Sequence, residues 1–187
     1  MRAIYGVRYT LRRSPNAPGQ REVFQGASGL KVYENEWALP RVWPVHEART
    51  VGASVDDARR ALRDPAIDPR KTVFMRGEAP RLESCETDGE TRLVERGLNR
   101  VVIDAQLGCR GMVIFSDNWY PGWRATVDGV PAEIHAAYTA VRGVVVEGGR
   151  HRIEMRYRPW PLLVGALLSA LAVLAAGGLT WRDHGTT

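Results

Sequence analysis

The sequence of 187 residues contains almost no lysine and only two cysteines. Of its 26 basic residues only Lys31 and Lys71 are lysine, and the arginines are scattered along the chain. A nucleic-acid-binding face needs clustered basic residues, so the net charge of +5 does not predict a nucleic-acid partner. Cys85 and Cys109 allow one disulfide if the domain lies outside the cytoplasm, and two unpaired thiols are an equally weighted alternative.

The motifs of common catalytic, nucleotide-binding and metal sites are also missing. The sequence has no HExxH, no GxSxG, no P-loop and no GxGxxG. Glu34 and Glu36 share one face of a predicted strand, where exposed carboxylates are common, so we interpret them as structural. Because these motifs are missing, we expect no catalytic residue and no cofactor in this chain. We also expect no metal site, because the histidines are far apart. They are His46, His135, His151 and His184.

No apolar run of signal-peptide length follows the basic N-terminal segment MRAIYGVRYTLRR. The chain taken alone therefore has no predicted means of exporting a large N-terminal domain. Two interpretations are open. The chain is either a tail-anchored protein with a cytoplasmic domain, or a piece of a longer membrane protein whose earlier segments export the domain.

One long apolar run lies near the C-terminus, from Leu162 to Trp181, and contains no charged residue. A helix of about twenty residues is roughly 30 Å long, which is the thickness of the hydrocarbon core of a bilayer. Trp160 and Trp181 bracket the run, as aromatic residues do at membrane interfaces. We predict a single transmembrane helix over 159–181, rather than a buried core helix, followed by a short tail over 182–187.

Most of the chain before this run is predicted to be β-structure. Apolar and polar residues alternate from Val101 to Leu107, as on a half-buried strand, and Asp128-Gly129 is typical of a two-residue hairpin turn. One short helix is predicted with Ser54 as its N-cap. We predict a mainly β fold over 1–158, an antiparallel β-sandwich of the jelly-roll or immunoglobulin-like kind.

The most distinctive polar and aromatic cluster surrounds a predicted type II turn at Pro121-Gly122. Aromatic rings stack on the C–H faces of sugar rings, while carboxylate, amide and guanidinium groups pair with hydroxyls. The cluster therefore predicts a glycan-binding platform. The alternative is that its tryptophans close the end of the sandwich or lie at a membrane interface. The predicted glycan-binding residues are Asp117, Asn118, Trp119, Tyr120, Trp123 and Arg124.

Four segments carry a family resemblance. They are GVRYTL, VYENEWALPRVWPV, SDNWYPGWRATVDG and GGRHRIEMRYRPWPLLVGALLSAL. In this order they resemble the C-terminal part of the YfhO-like bacterial membrane proteins, which are multi-spanning proteins assigned to the GT-C type of glycosyltransferase and use lipid-linked sugar donors. The resemblance covers nearly the whole chain, and its specific parts are the YEN…ALPR and YPGWxAxVDG strings.

The resemblance implies a non-catalytic role, because in this family the catalytic carboxylate is expected in an N-terminal multi-helix region that precedes the matched part. It implies an extracytoplasmic domain at the cell membrane that positions a glycan or polymer acceptor. The expected partners are the lipid bilayer, the upstream transmembrane helices of the parent protein, and a glycan or lipid-linked sugar. The alternative is a stand-alone, membrane-tethered carbohydrate-binding or structural module.

Small residues in the C-terminal apolar run predict a helix-packing face. Gly165 and Ser169 form one small-xxx-small pair, and Ala172 and Ala176 form another. Such pairs let helix backbones approach closely in membranes. We therefore expect these four residues to contact neighbouring transmembrane helices.

Overall fold

The computed structural model describes residues 3–52, 54–64, 67–85 and 89–184, and the side chains of all of these except 3, 55, 163 and 175–184. The helices are α1, Val55–Ala61, and α2, Trp160–His184, with one 3-10 turn at Ala3–Tyr5. The strands are β1 Tyr9–Arg12, β2 Gln20–Gln25, β3 Lys31–Asn35, β4 Val42–Val45, β5 Glu47–Val51, β6 Thr72–Arg76, β7 Glu90–Arg96, β8 Arg100–Leu107, β9 Gly111–Asn118, β10 Trp123–Val127, β11 Val130–Ala132, β12 His135–Ala137, β13 Val141–Val146 and β14 Gly149–Tyr157. The mainly β prediction is confirmed.

Two antiparallel sheets share one of the two hydrophobic cores. Their strand orders are β11-β10-β14-β8-β7 and β12-β13-β9-β4. Strand β8 buries Val101, Ile103, Ala105 and Leu107 on one face, as its alternation predicts, but Val102 on the opposite face is buried as well. The buried residues of this shared core are Val42, Val101, Ile103, Ala105, Leu107, Val113, Phe115, Ala125, Val144, Val146, Ile153 and Met155.

A βαβ unit covers the other face of the four-stranded sheet, and the sequence did not predict it. Strands β5 and β6 run parallel and are joined through α1, which supplies the crossover connection that a parallel pair requires. Ser54 caps α1 and forms a capping box with Asp57, as its predicted N-cap role requires. Phe74 of β6 packs in a second core with Trp43 and Ile114 of the sheet. The prediction of a purely antiparallel sandwich is therefore wrong in this layer.

A separate three-stranded sheet in the order β1-β3-β2 lies near the N-terminus. Its first strand, β1, begins only at Tyr9. Gly6 takes a φ of +63°, a left-handed conformation that interrupts an extended strand. Tyr33 of β3 is the one residue of this sheet that is fully buried.

Helix α2 follows β14 closely and begins at Trp160, and every side chain that is described in it is exposed. Among the described residues, neither helix is both long and apolar enough to cross a membrane. The fold-class prediction is therefore wrong in its transmembrane helix over 159–181. Residues 185–187 of the predicted tail lie outside the described residues.

Candidate functional site

The six predicted glycan-binding residues lie at one end of the shared core, between the end of β9 and the start of β10. Gly122 has a φ of +104°, the left-handed conformation that the predicted type II turn needs at this position. The turn brings three aromatic rings together. The ring centroid of Tyr120 lies 6.2 Å from that of Trp123 and 5.3 Å from that of Tyr157.

Trp119 and Tyr120 are exposed and yet fixed in place. Their exposed fractions are 41% and 42%. The backbone N–H of Trp119 donates to the Ala140 carbonyl at 2.8 Å, and its indole N–H donates to the Ile134 carbonyl at 3.3 Å. Tyr120 is held by edge contacts with the rings of Trp123 and Tyr157. The two rings are therefore exposed to solvent, and they have little side-chain conformational entropy left to lose when a ligand binds.

The hairpin turn between β12 and β13 supports Trp119. Tyr138 and Thr139 at its centre have φ values of 49° and 60°, which are rare for residues other than glycine and especially for a β-branched one. The Tyr138 hydroxyl donates to the Pro69 carbonyl at 2.7 Å, and burial raises the pKa of this phenol. Such strained turns persist only where the surrounding structure holds them, and this one fixes the Ala140 carbonyl that binds Trp119.

A buried arginine lies beneath the exposed rings. Arg142 is 1% exposed and is the one fully buried charged residue in the part of the chain that the structure describes. Its guanidinium carbon lies 3.8 Å from the ring centroid of Trp123 and 4.9 Å from that of Phe115. Its Nη2 lies 3.1 Å from Asp117 Oδ2, in an ion pair. The site therefore contains a guanidinium held between two aromatic faces and paired with one carboxylate.

The electrostatics around Arg142 are unusual for a buried group. Burial lowers the pKa of its guanidinium, and the Asp117 carboxylate opposes that shift. Its Nε and Nη1 have no hydrogen-bond acceptor among the described residues. A register shift between Val141 and Arg142 leaves Ser116 and Asp117 without direct partners on β13. Bulges of this kind re-aim side chains, and here Asp117 reaches Arg142.

The structure thus separates the six predicted residues into two groups. The exposed group is Asn118, Trp119, Tyr120 and Arg124. Asp117 and Trp123 are half-buried and contact Arg142 instead. Arg142 was not predicted as a site residue, although one signal was present: it is a single charge inside the strand VRGVVV, whose other residues are apolar or glycine.

A cleft of about 530 Å³ lies next to the exposed group, along β10 and β11. Ile134, whose carbonyl holds Trp119, also lines this cleft, so the rings and the cleft adjoin. Carboxylates and guanidinium groups line it together. They come from Arg124, Glu133, Glu154, Arg156 and Arg158. The arrangement provides donors and acceptors for hydroxyl groups beside two aromatic faces.

Comparison with known proteins does not identify a relative. No family model, no curated protein and no solved structure matches this chain. The resemblance to the YfhO-like proteins therefore stays a prediction.

Three of the other residues singled out in the sequence, Glu34, Gly165 and Ser169, have local hydrogen-bond partners. Glu34 accepts hydrogen bonds from Arg8 and Arg21, which lower the pKa of its carboxyl group. In α2, the Ser169 hydroxyl donates to the Gly165 carbonyl at 2.9 Å. Ala172 is exposed, and the side chain of Ala176 lies outside the described residues.

The two cysteines are joined in a disulfide, so the paired alternative is the one observed. The disulfide links residue 85, in the segment before β7, to the turn between β8 and β9. His46 lies next to it, with Nδ1 3.4 Å from Sγ of Cys85. No sequence motif predicted this arrangement, since the three residues come from three distant segments.

Gly122→Ala is expected to destabilise the protein by about 2–3 kcal/mol, because a Cβ adds a steric clash to an unfavourable φ. The Cβ would lie 2.7 Å from Cε2 of Tyr157. Gly129→Ala is the matched control, because Gly129 also has a positive φ but no atom lies within 4 Å of its Cβ position. Urea denaturation of both variants measures the difference. If both variants lose the same free energy of unfolding, the contact with Tyr157 does not contribute to the effect.

Glu154 is expected to make stability depend on pH in the acid range. Arg100 and then Arg156 lower the pKa of its carboxyl group to about 2, below its ordinary value near 4.5. A lowered folded-state pKa gives stability that is present above the unfolded-state pKa and is lost as pH falls from about 4.5 towards 2. Glu154→Gln should therefore lower the free energy of unfolding by about 1 kcal/mol at pH 7, a value reduced for solvent screening. Near pH 2 the substitution should have almost no effect. Glu133→Gln, at a side chain that is 79% exposed, is the control and should follow the wild type in denaturation at each pH.

Proposed function

We propose that this chain is a non-catalytic module that binds a glycan and positions it as an acceptor at the membrane surface, as part of a YfhO-like, GT-C type membrane glycosyltransferase. The observation that carries the proposal is the pair of exposed and immobilised rings of Trp119 and Tyr120. Sugar recognition uses such rings for stacking on C–H faces, with neighbouring polar groups for the hydroxyls. Asn118, Arg124 and the adjoining cleft supply those groups.

The chemistry of the cleft supports binding rather than hydrolysis. A glycosidase needs one carboxylic acid whose pKa is raised so that it can donate a proton to the leaving oxygen. The pKa of Glu154 is instead lowered to about 2 by two arginines, so this carboxylate stays ionised. An ionised carboxylate accepts hydrogen bonds from hydroxyl groups and does not act as a general acid.

Two further observations support a place at the outer side of a membrane. Disulfides such as Cys85–Cys109 persist in oxidising compartments outside the cytoplasm. The described side chains of α2 are exposed and mainly apolar, and exposed apolar surface of this kind marks contact with another protein or with lipid. The proposed partners of α2 are the lipid bilayer and the helices of the parent protein.

Binding to a panel of cell-envelope oligosaccharides, measured by calorimetry, tests the proposal. Each aromatic stacking contact contributes about 1 kcal/mol, so Trp119→Ala combined with Tyr120→Ala should weaken binding about 10- to 30-fold. Trp37→Ala is the matched control, because Trp37 is 61% exposed but lies after β3, remote in sequence from the site. The proposal would be contradicted if no oligosaccharide of the panel bound, or if Trp37→Ala weakened binding as much as the double variant.

A further inference from the structure

The Cys85–Cys109 disulfide lies beside an imidazole from a third segment of the chain. Nδ1 of His46 is 3.4 Å from Sγ of Cys85 and 3.7 Å from Sγ of Cys109. In a tetrahedral zinc site with Zn–S near 2.3 Å and Zn–N near 2.0 Å, a nitrogen and a sulfur ligand lie about 3.6 Å apart. The imidazole nitrogen is therefore already at ligand spacing from both sulfur atoms.

The two sulfur atoms alone are too close together for a metal, since a disulfide bond is about 2.05 Å long and two sulfur ligands of one zinc ion lie about 3.8 Å apart. The Cα atoms of Cys85 and Cys109 are 6.1 Å apart. At that separation, rotation of the two side chains is enough to part the sulfur atoms once the bond is broken. Reduction therefore converts a closed arrangement into one with space for an ion.

The two cysteine segments are also held together by contacts that do not involve the disulfide. The backbone N–H of Glu83 donates to the Arg110 carbonyl at 2.9 Å, and the backbone N–H of Arg110 donates to Glu83 Oε2 at 3.1 Å. Nε of Arg110 donates to the Arg81 carbonyl at 3.0 Å. These three bonds keep Cys85 near Cys109 after reduction.

The position of His46 is fixed by the adjoining strands. His46 directly follows β4, and a Cβ on Gly111 would lie 2.8 Å from its Cε1, so only glycine leaves space for the ring there. A cleft of about 920 Å³ is lined by both His46 and Cys85 and gives access to solvent. The charged residues that line this cleft are Arg70, Lys71, Arg81 and Glu47.

We propose that His46, Cys85 and Cys109 form a redox-gated zinc site, closed in the disulfide form and competent to bind Zn²⁺ when reduced. A dithiol or phosphine reductant supplies two electrons, and two protons complete the two thiols. Zn²⁺ then replaces both thiol protons, which are released to solvent, and the imidazole provides the third ligand through a neutral nitrogen. Thiolate and imidazole ligands suit zinc, and three protein ligands leave the fourth position to water. The site is independent of the proposed glycan surface.

Zinc chloride titrated into the full chain, with a chromophoric chelator as competitor, tests the proposal. The protein reduced with a water-soluble phosphine should bind one zinc ion per chain, and the disulfide form should not. His46→Ala should weaken binding at least about tenfold, in line with losses at other zinc sites. His135→Ala is the matched control, since that histidine is also largely buried, at 19% side-chain exposure, and should leave zinc binding unchanged.

Thermal unfolding of the reduced protein gives a second readout that remains decisive if reduction alone unfolds the chain. Zinc should raise the melting temperature of the reduced wild type, or refold it, and should have no such effect on reduced His46→Ala. Three results would overturn the proposal: no zinc binding by the reduced protein, equal binding by the disulfide form, or equal binding and stabilisation in His46→Ala.

Discussion

Asp117→Ala is expected to lower the free energy of unfolding by about 3–4 kcal/mol, because it leaves a buried charge without its partner. The guanidinium of Arg142 is 1% exposed and has Asp117 as its single ion-pair partner among the described residues. Two of its nitrogen atoms already lack hydrogen-bond acceptors among the described residues, so loss of Asp117 leaves the cation with contacts to two aromatic faces and no carboxylate there. Chemical denaturation at neutral pH measures the loss.

Asp104→Ala is the matched control for this experiment. The side chain of Asp104 is 37% exposed and that of Asp117 is 38% exposed, so the two carboxylates are equally accessible. The arginines that contact Asp104 are themselves exposed, and exposed ion pairs contribute about 0–1 kcal/mol. A loss of less than 1 kcal/mol is therefore expected for Asp104→Ala.

A double-mutant cycle separates the pair from its surroundings. Arg142→Met removes the buried charge while keeping a long apolar side chain between Phe115 and Trp123. If the unpaired charge causes the loss, Asp117→Ala should cost little in the Arg142→Met background, and the coupling should be about 2 kcal/mol or more. Additive losses in the double variant would contradict this account of Arg142.

Replacing both Cys85 and Cys109 by alanine is expected to cost about 3 kcal/mol of stability, since the disulfide restricts the unfolded chain. The two cysteines are 24 residues apart in sequence, and closing a loop of that length accounts for a loss of about this size. Wild-type protein with a phosphine reductant and the double variant should unfold at the same urea concentration. The double variant should not respond to the reductant, and an unchanged wild-type midpoint on reduction would contradict the expectation.

The features that the sequence predicts well are local ones. The hairpin at Asp128-Gly129 forms because both residues take positive φ, which the Asp-Gly pair tolerates. The turn before Trp123 and the N-cap at Ser54 likewise depend on neighbours within a few positions. The buried face of β8 follows from its alternation, although Val102 on the other face is also buried. In each case the chemistry that decides the structure lies within the segment itself.

The features that the sequence misses depend on distant segments. The parallel pairing of β5 with β6 requires a crossover through α1, which alternation within either strand does not specify. His46, Cys85 and Cys109 meet although they are far apart along the chain, and no motif spacing marks them. Arg142 is buried because two aromatic rings and one carboxylate surround it, and these three residues are distant from Arg142 in the sequence.

The C-terminal apolar run shows a different limit. Hydropathy and length predicted a transmembrane helix there, and a helix does begin at Trp160. The part of the chain that the structure describes shows no helix that meets the requirements for crossing a membrane. The pattern of apolar residues therefore predicts the helix correctly, whereas the prediction that this helix crosses a membrane is wrong.

The most direct test of the glycan-binding account is to follow the indole N–H signals by NMR during titration with an oligosaccharide that binds the protein. Trp119 is expected to shift most, because its ring is exposed beside Tyr120, while the buried Trp43 and the remote, exposed Trp37 should stay unchanged. Saturable binding that leaves the Trp119 signal in place, or that shifts Trp37 instead, would contradict the account.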